Sequence, residues 1–125
     1  MIQSNPLVQF LKWEKEVPND LFLRQPFEGE WRNWTFQQAG EEARKIAAGL
    51  KQLNLPNRSN VALLSKNCAH WIIADLAIMM AGHISVPLYA TLTAQSIQQI
   101  LEHSESKTII IGKLCLLYTS DAADE

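Results

Sequence analysis

The residues of this chain that could carry chemistry are three histidines, a lone acid in an apolar stretch, two cysteines, four tryptophans and a Tyr-x-Thr pair. His70, His83 and His103 stand far apart with no metal-ligand spacing between them, so each reads as an ordinary surface or half-buried histidine and no metal site is expected. Asp75 interrupts an apolar run and is expected on the less buried side of a helix rather than as a perturbed acid. Cys68, in the same helical stretch, reads as a small packing residue. Trp13, Trp31, Trp34 and Trp71 fall on a hairpin and two separate helices, which favours packing over one aromatic binding face. Tyr89 and Thr91 lie just past the end of an expected strand, where α/β sheets present ligand-facing loops, and form the candidate ligand-near pair. No catalytic, cofactor-binding or metal-ligating residue is assigned.

The background that must position these residues is that of one globular domain. The 125 residues are 47% hydrophobic and 19% charged, too apolar for intrinsic disorder and too short for two domains. Eleven basic residues stand against thirteen acidic ones, scattered along the chain, which excludes a nucleic-acid footprint. Two cysteines argue against a secreted disulfide scaffold, and Met1 to Pro6 has neither a basic nor an apolar leader region. The apolar run from Trp71 to Ala81 is too short to cross a bilayer, so no transmembrane segment and a cytoplasmic location are expected.

The elements follow from periodicity. Asn5 to Glu16 reads as an amphipathic helix with Leu7, Phe10, Leu11 and Trp13 on one side, and Pro18 ends it. Leu21 to Arg24 and Trp31 to Trp34 read as a hairpin joined through Pro26-Phe27-Glu28-Gly29-Glu30. Thr35 and Gln38 form a capping box ahead of a helix whose apolar stripe is Phe36, Ala39, Ala43, Ile46, Ala47, Leu50 and Leu53. From Val61 the rhythm becomes that of a parallel sheet. Val61 to Leu64 is the first strand, and Asn67 is the expected N-cap of a helix from Cys68 to Ala81 that Gly82 stops. Ile84 to Val86 is the second strand, closed by Pro87. Thr93 caps a helix with Ile97, Ile100 and Leu101 on its core face, and Thr108 to Ile111 is the third strand. The fold class is α/β: an N-terminal helix and β-hairpin, then a βαβαβ parallel half-sheet whose right-handed crossovers are expected to place both helices on one face. The helix after Asn67 is apolar nearly all round and should be covered on both sides, which suggests a missing remainder of its own domain.

The last residues break this pattern. Cys115 to Asp124 equals, residue for residue, one frame of the transposase adapter used in shotgun sequencing (TGT CTC TTA TAC ACA TCT GAC GCT GCC GAC), and the next codon, GA plus any base, yields only Asp or Glu, as at Glu125. Residues 115–125 are therefore read as adapter read-through, leaving 1–114 as native sequence, with the native continuation after Lys113 unknown. Without Asp121, Asp124 and Glu125, eleven basic residues stand against ten acidic ones, a balance of +1.

Asn67-Cys68-Ala69-His70-Trp71, then Asp75-Leu76-Ala77, then Ala81-Gly82-His83-Ile84-Ser85-Val86-Pro87-Leu88-Tyr89-Ala90-Thr91-Leu92 resembles the adenylate-forming (AMP-binding) ligase superfamily. Trp34-Thr35-Phe36, Ala48-Gly49-Leu50, Asn60 to Leu64 and His103 to Lys107 continue the likeness across residues 5–113. The Val-Pro-Leu-Tyr-x-Thr-Leu run is similar to the long-chain fatty acid CoA ligase (acyl-CoA synthetase) branch. Asn67, Trp71, Gly82, Val86 and Pro87 are the structural positions of that motif. The resemblance implies a partial N-terminal AMP-binding domain, an incomplete subdomain of the acyl-CoA synthetase-like fold. It also implies a two-step reaction: a fatty acid carboxylate attacks the α-phosphorus of ATP, releasing pyrophosphate, and the CoA thiol then displaces AMP. ATP, Mg²⁺ and CoA are thus the implied cofactors of a longer parent, and fatty acid, ATP and CoA its partners. A peripheral membrane association of the parent is compatible with this reading.

The family's phosphate loop, Tyr-Thr-Ser-Gly-Thr-Thr-Gly, has only a false echo in Tyr118-Thr119-Ser120, because Asp121-Ala122-Ala123 follows where glycine and threonine are needed. The phosphate loop and the lid lysine therefore lie beyond this chain, and the 125 residues alone are expected to be inactive and to bind no cofactor. Two other readings stay open. One is a non-enzymatic α/β binding or interaction module; the other is a fragment of another adenylate-forming enzyme, such as a short-chain acyl-CoA synthetase, a peptide-synthetase adenylation domain or a luciferase-like enzyme. A nicotinamide dehydrogenase is disfavoured, since Ser65-Lys66-Asn67-Cys68-Ala69-His70 replaces the glycine fingerprint after the first strand.

Overall fold

Pro6 opens α1 (Pro6–Glu16), as suits a residue with no N–H to leave orphaned in a first helical turn. This and all that follows rest on a computed structural model that describes residues 6–65, 68–88 and 92–111. The expected hairpin is longer than its apolar runs, with β1 (Leu21–Phe27) pairing antiparallel with β2 (Glu30–Thr35). Its turn is only Glu28-Gly29, both at positive φ (51° and 81°), the signature of a two-residue primed turn. Pro26 and Phe27, expected in the turn, lie in the strand; a two-stranded ribbon has two free edges, so a proline can be placed where its missing N–H would face outward.

The capping box forms as expected at the start of α2 (Phe36–Gln52). Gln38 N donates to Thr35 Oγ1 at 3.1 Å, and Thr35 N donates to Gln38 Oε1 at 2.9 Å. The small face of α2, formed by Ala39, Gly40, Ala43 and Ala47, lets its neighbours approach closely. On one side, Glu14 of α1 grips Arg44 through a two-pronged ion pair, and a Cβ on Gly40 would collide with the Glu14 carboxylate. The hydrogen bond to Glu14, opposed by partial desolvation and helped by the charges of Glu14 and Glu41, holds the Arg44 guanidinium pKa above its ordinary value. Phe10, Phe22 and Phe36 then join α1, β1 and α2 in a ring cluster with centroids 4.7 to 5.9 Å apart. Leu53 departs from the expected stripe: it is the C-cap of α2 and is 53% exposed.

The three remaining strands form one parallel sheet in the order β4-β3-β5, from β3 (Asn60–Leu64), β4 (Ile84–Leu88) and β5 (Thr108–Ile111). Two helices link them, α3 (Ala69–Met80) between β3 and β4, and α4 (Ala94–Ser104) between β4 and β5. Val61 and Leu63 pack with Ala74 and Ile78 of α3, whereas Ala62 and Leu64 pack with Ile97, Ile100 and Leu101 of α4. The two helices therefore lie on opposite faces, not on the common face expected. The reason is the strand order: the chain moves one way from β3 to β4 and then back across β3 to β5, so crossovers of one hand fall on opposite sides.

Pro87 lies within β4, opposite Leu63, rather than closing the strand. Among the described residues β4 is an edge strand, where proline is tolerated. Val86, paired with Ala62, is half-buried. Gly82, at φ 84°, stops α3 as expected: Gly82 N donates to Met79 O and His83 N to Ile78 O, the paired bonds of a Schellman motif. His83 is buried, and its Nδ1 accepts from Ser59 N at 3.2 Å, which puts the ring proton on Nε2 and ties the entry of β3 to that of β4. Thr93 caps α4 through Ser96 N.

α3 is covered on both sides, as its composition requires, but its cover comes from this chain. Ile73, Leu76 and Ala77 pack against α1, the hairpin and α2, and Ala74 and Ile78 pack against β3. The thin cover lies elsewhere, because α4 has no fully buried residue and every residue of β5 is only half-buried. No helix among the described residues is long and apolar enough to cross a membrane.

Urea unfolding of point variants checks these layers. Ile73→Ala is expected to cost about 2–5 kcal/mol, Thr35→Ala about 1 kcal/mol, and Leu53→Ala less than about 0.5 kcal/mol; a Leu53 cost equal to that of Ile73 would contradict the packing. In native-state hydrogen exchange the amides of β3 should be the slowest of the sheet and those of β5 the fastest. Equal protection in the two strands would show that the half-buried edge is as well covered as the centre.

Candidate functional site

The carboxyl end of β3 is where the order of strands reverses, and a groove opens beside it, at the first turn of α3. Leu23, Gln25 and Pro26 of β1 form one wall, and Cys68, Ala69, Trp71 and Ile72 form the other, enclosing about 830 Å³. The hairpin is held there by Gln25, whose Oε1 accepts from Ala69 N at 2.6 Å and so satisfies one of the orphan donors of the first turn. The inner face of the hairpin also aligns Arg32 with two rings, 5.6 Å from the Phe27 centroid and 4.8 Å from that of Trp34. On the outer face Arg24 lies 4.4 Å over Trp31.

Several expected positions are redefined here. The N-cap of α3 is Cys68, with no side-chain cap bond, rather than Asn67; Asn67 itself lies outside the described residues. Cys68 is half-exposed on the groove, its Sγ 3.9 Å from Ser65 Oγ, so it is a cap and groove residue rather than buried packing. Tyr89 and Thr91, the candidate ligand-near pair, lie outside the described residues, as do Tyr118 to Ser120 and the whole of 115–125. Trp71 lines the groove, whereas Gly82, Val86 and Pro87 serve the turn and the edge strand away from it.

The histidines and tryptophans are dispersed. His70 meets Trp34 edge-on at 5.5 Å and lies 4.0 Å from Glu42 Oε1, His83 sits at the opposite end of α3, and His103 is exposed on α4. Asp75 is half-exposed between buried neighbours, on the less buried side of α3 as expected. Trp34 is buried, with its Nε1–H donating to Glu42 Oε2 at 3.1 Å, but Trp13 and Trp31 are 42% and 57% exposed and do not serve the core. Gln25 is the groove residue that sequence reasoning missed. Its partner is 44 positions away, and an isolated glutamine in a strand carries no local signal of such a contact.

This arrangement can hold an apolar group against a polar rim, but it does not build a triphosphate site. The described glycines stand in the hairpin turn, within α2 and after α3, so none opens a loop at a strand end where backbone N–H groups could cradle phosphates. Among the described residues no three His, Cys, Asp or Glu side chains are grouped to hold a metal ion. The described residues by themselves therefore form neither a phosphate cradle nor a Mg²⁺ site.

Comparison with known proteins supplies what this geometry does not. The chain is 28% identical over 103 residues to a long-chain-fatty-acid–CoA ligase, FadD15, of Mycobacterium bovis, a match covering 82% of this chain and 17% of that enzyme. It is 32% identical over 82 residues to fatty acyl-CoA synthetase A of Dictyostelium discoideum, covering 66% and 12%. The chain thus spans less than a fifth of the length of these relatives. In structure it resembles the fatty acid AMP ligase of Legionella pneumophila (TM-score 0.75, 24% identity, 86% of this chain and 19% of that one). It also resembles the N-terminal subdomain of NpsA of Klebsiella oxytoca (TM-score 0.74, 20% identity, 86% and 26%). These two likenesses are of fold, and they identify the half-sheet with its flanking helices as the same α/β arrangement. The family of AMP-binding enzymes matches residues 10–125, a span that also takes in 115–125, and the chain belongs to that family.

Proposed function

We infer that this chain is the N-terminal part of an ATP-dependent long-chain fatty acid CoA ligase, which adenylates a fatty acid carboxylate with loss of pyrophosphate and passes the acyl group to the CoA thiol with loss of AMP. The observation that carries the reading is that the Val86-Pro87-Leu88-Tyr89-x-Thr91-Leu92 run stands in a chain whose relatives include one named a long-chain-fatty-acid–CoA ligase, in Mycobacterium bovis, and one named a fatty acyl-CoA synthetase, in Dictyostelium discoideum. ATP, Mg²⁺ and CoA are assigned to the parent, and the cytoplasm is its proposed location. Tyr89 and Thr91 follow β4 directly, and the carboxyl end of a parallel strand is where such sheets meet their ligands, so this pair is proposed to approach the substrate. Apart from that pair, the role proposed for this part of the parent is scaffolding: the described residues supply the buried sheet centre, and none of them forms a phosphate-binding loop.

Two measurements test the reading. The purified 125-residue chain, given a long-chain fatty acid, ATP and Mg²⁺, is expected to release no pyrophosphate above blank, and measurable release would refute its inactivity. Long-read sequencing of the source DNA across the codons for Gly112 to Cys115 is expected to continue past Lys113 into Tyr-Thr-Ser-Gly-Thr-Thr-Gly. A native frame that encodes Cys115 to Glu125 and then stops would overturn both the adapter reading and the ligase reading, in favour of a non-enzymatic α/β module.

A further inference from the structure

The groove beside α3 runs along an edge of the hairpin rather than across its face. Leu23 and Gln25 project to one side of β1 and Arg24 and Pro26 to the other, yet all four line the groove and no described residue of β2 does. Only the outer edge of β1, away from β2, borders both sets at once. Among the described residues no strand pairs with that edge.

The turn determines which backbone groups the edge offers. A two-residue turn at Glu28-Gly29 makes Phe27 and Glu30 the hydrogen-bonded pair that closes the hairpin, and bonded pairs then alternate with non-bonded ones along the antiparallel ladder. Gln25 with Arg32 and Leu23 with Trp34 are therefore bonded pairs, whereas Arg24 and Pro26 turn their backbone groups away from β2. Pro26 fits this parity, because it has no N–H for β2 to miss. The outer edge thus presents Arg24 N–H, Arg24 C=O and Pro26 C=O, in the spacing with which one strand meets another.

The opposite wall suits side chains. Trp71 and Ile72 of α3, together with Leu23 and Pro26, make the groove of about 830 Å³ apolar, and Ile72 is 37% exposed there. Arg24 is the one charged residue among its described lining, and it is stacked 4.4 Å over Trp31 at the rim. The positive end of α3 also lies in this wall, at Cys68 and Ala69. The acids of the hairpin, Glu28 and Glu30, stand at its tip and are not among the lining residues.

We propose that this groove takes an extended, acidic peptide by strand addition to β1. The peptide's N–H and C=O groups pair with Arg24 and Pro26, an apolar side chain packs against Trp71 and Ile72, and an acidic side chain meets Arg24. The free ladder groups select a peptide over a compact small molecule, which has no repeating N–H and C=O groups to match them. The lone cation selects an acidic sequence over a basic one. The inference stands apart from the ligase reading, since strand addition needs neither nucleotide nor acyl substrate.

Amide hydrogen exchange of the 125-residue chain, with the acetylated and amidated peptide Val-Glu-Val-Glu-Val as probe, tests it. At about ten times the peptide's dissociation constant, exchange of the Arg24 N–H should slow about tenfold, while that of the Gln25 N–H, already bonded to β2, should change little. The same peptide N-methylated throughout keeps its side chains but has no N–H to give, and should bind at least about tenfold more weakly. Arg24→Gln should weaken binding of the acidic peptide by roughly two- to fivefold and leave binding of Val-Gln-Val-Gln-Val unchanged. An unaltered Arg24 N–H, equal binding of the methylated peptide, or a preference for Val-Lys-Val-Lys-Val would overturn the proposal. So would protection of Arg24 that rises with protein concentration in the absence of peptide, the mark of a second copy on the same edge. Pyrophosphate release by a longer parent does not enter this test.

Discussion

A strand whose side chains point alternately into two apolar layers must be covered twice, and β3 is that strand here. Val61, Ala62 and Leu63 are at most 1% exposed, with α3 and α2 on one side of them and α4 on the other. Burying a Leu or Val side chain is worth roughly 1.5–3 kcal/mol, and those gains are available only if the chain returns past β3 on both faces. That requirement accounts for the reversed strand order, for β4 and β5 on either side of β3, and for the bonds that lace the strand entries together. Ser59 N donates to His83, Ile84 N to Ser59 O, and Lys107 N to Asn60 O, so the amino ends of all three strands are fixed in one register.

The N-terminal half is a cover for α3. An apolar helix of twelve residues needs partners on most of its circumference, and α1, the hairpin and α2 supply them through the three-phenylalanine cluster and the alanine face of α2. Small residues matter there because they allow one helix to approach another: Gly40 makes room for the Glu14 carboxylate, and the resulting ion pair with Arg44 fixes how α1 lies along α2. The opposite layer is weaker. α4 contributes Ile97, Ile100 and Leu101 to a small cluster without burying any residue fully.

Membership of the AMP-binding enzymes and the shape of the candidate site fit together through this division of labour. The described residues build a stiff sheet centre and a hairpin-walled groove, and they hold neither a phosphate-binding loop nor a metal-binding group of side chains. The adenylation and thioester-forming chemistry proposed for the longer protein therefore falls to segments other than the described residues, with this sheet as their platform. The wall of the groove beside α3 is tied to that helix by a long-range hydrogen bond from Ala69 N to Gln25, which adds to the packing of Leu23 and Trp34 on the same helix.

Local physics was enough to determine much of this from sequence. The Thr35–Gln38 box, the Gly82 stop, the Thr93 cap and the run of isoleucines in β5 each depend on residues within one turn or one strand, and each forms where expected. The family resemblance was likewise legible, because its motif lies in one continuous stretch. What only the tertiary structure decided were relations between distant segments. Helices on opposite faces follow from strand order, which periodicity does not encode; the tip of the hairpin shrank to Glu28-Gly29 because cross-strand pairing extended both strands; the N-cap moved from Asn67 to Cys68 where Gln25 meets the first turn. Trp13 and Trp31 proved exposed for the same reason, since an apolar residue records a preference for burial while only the packed neighbours determine whether it is met.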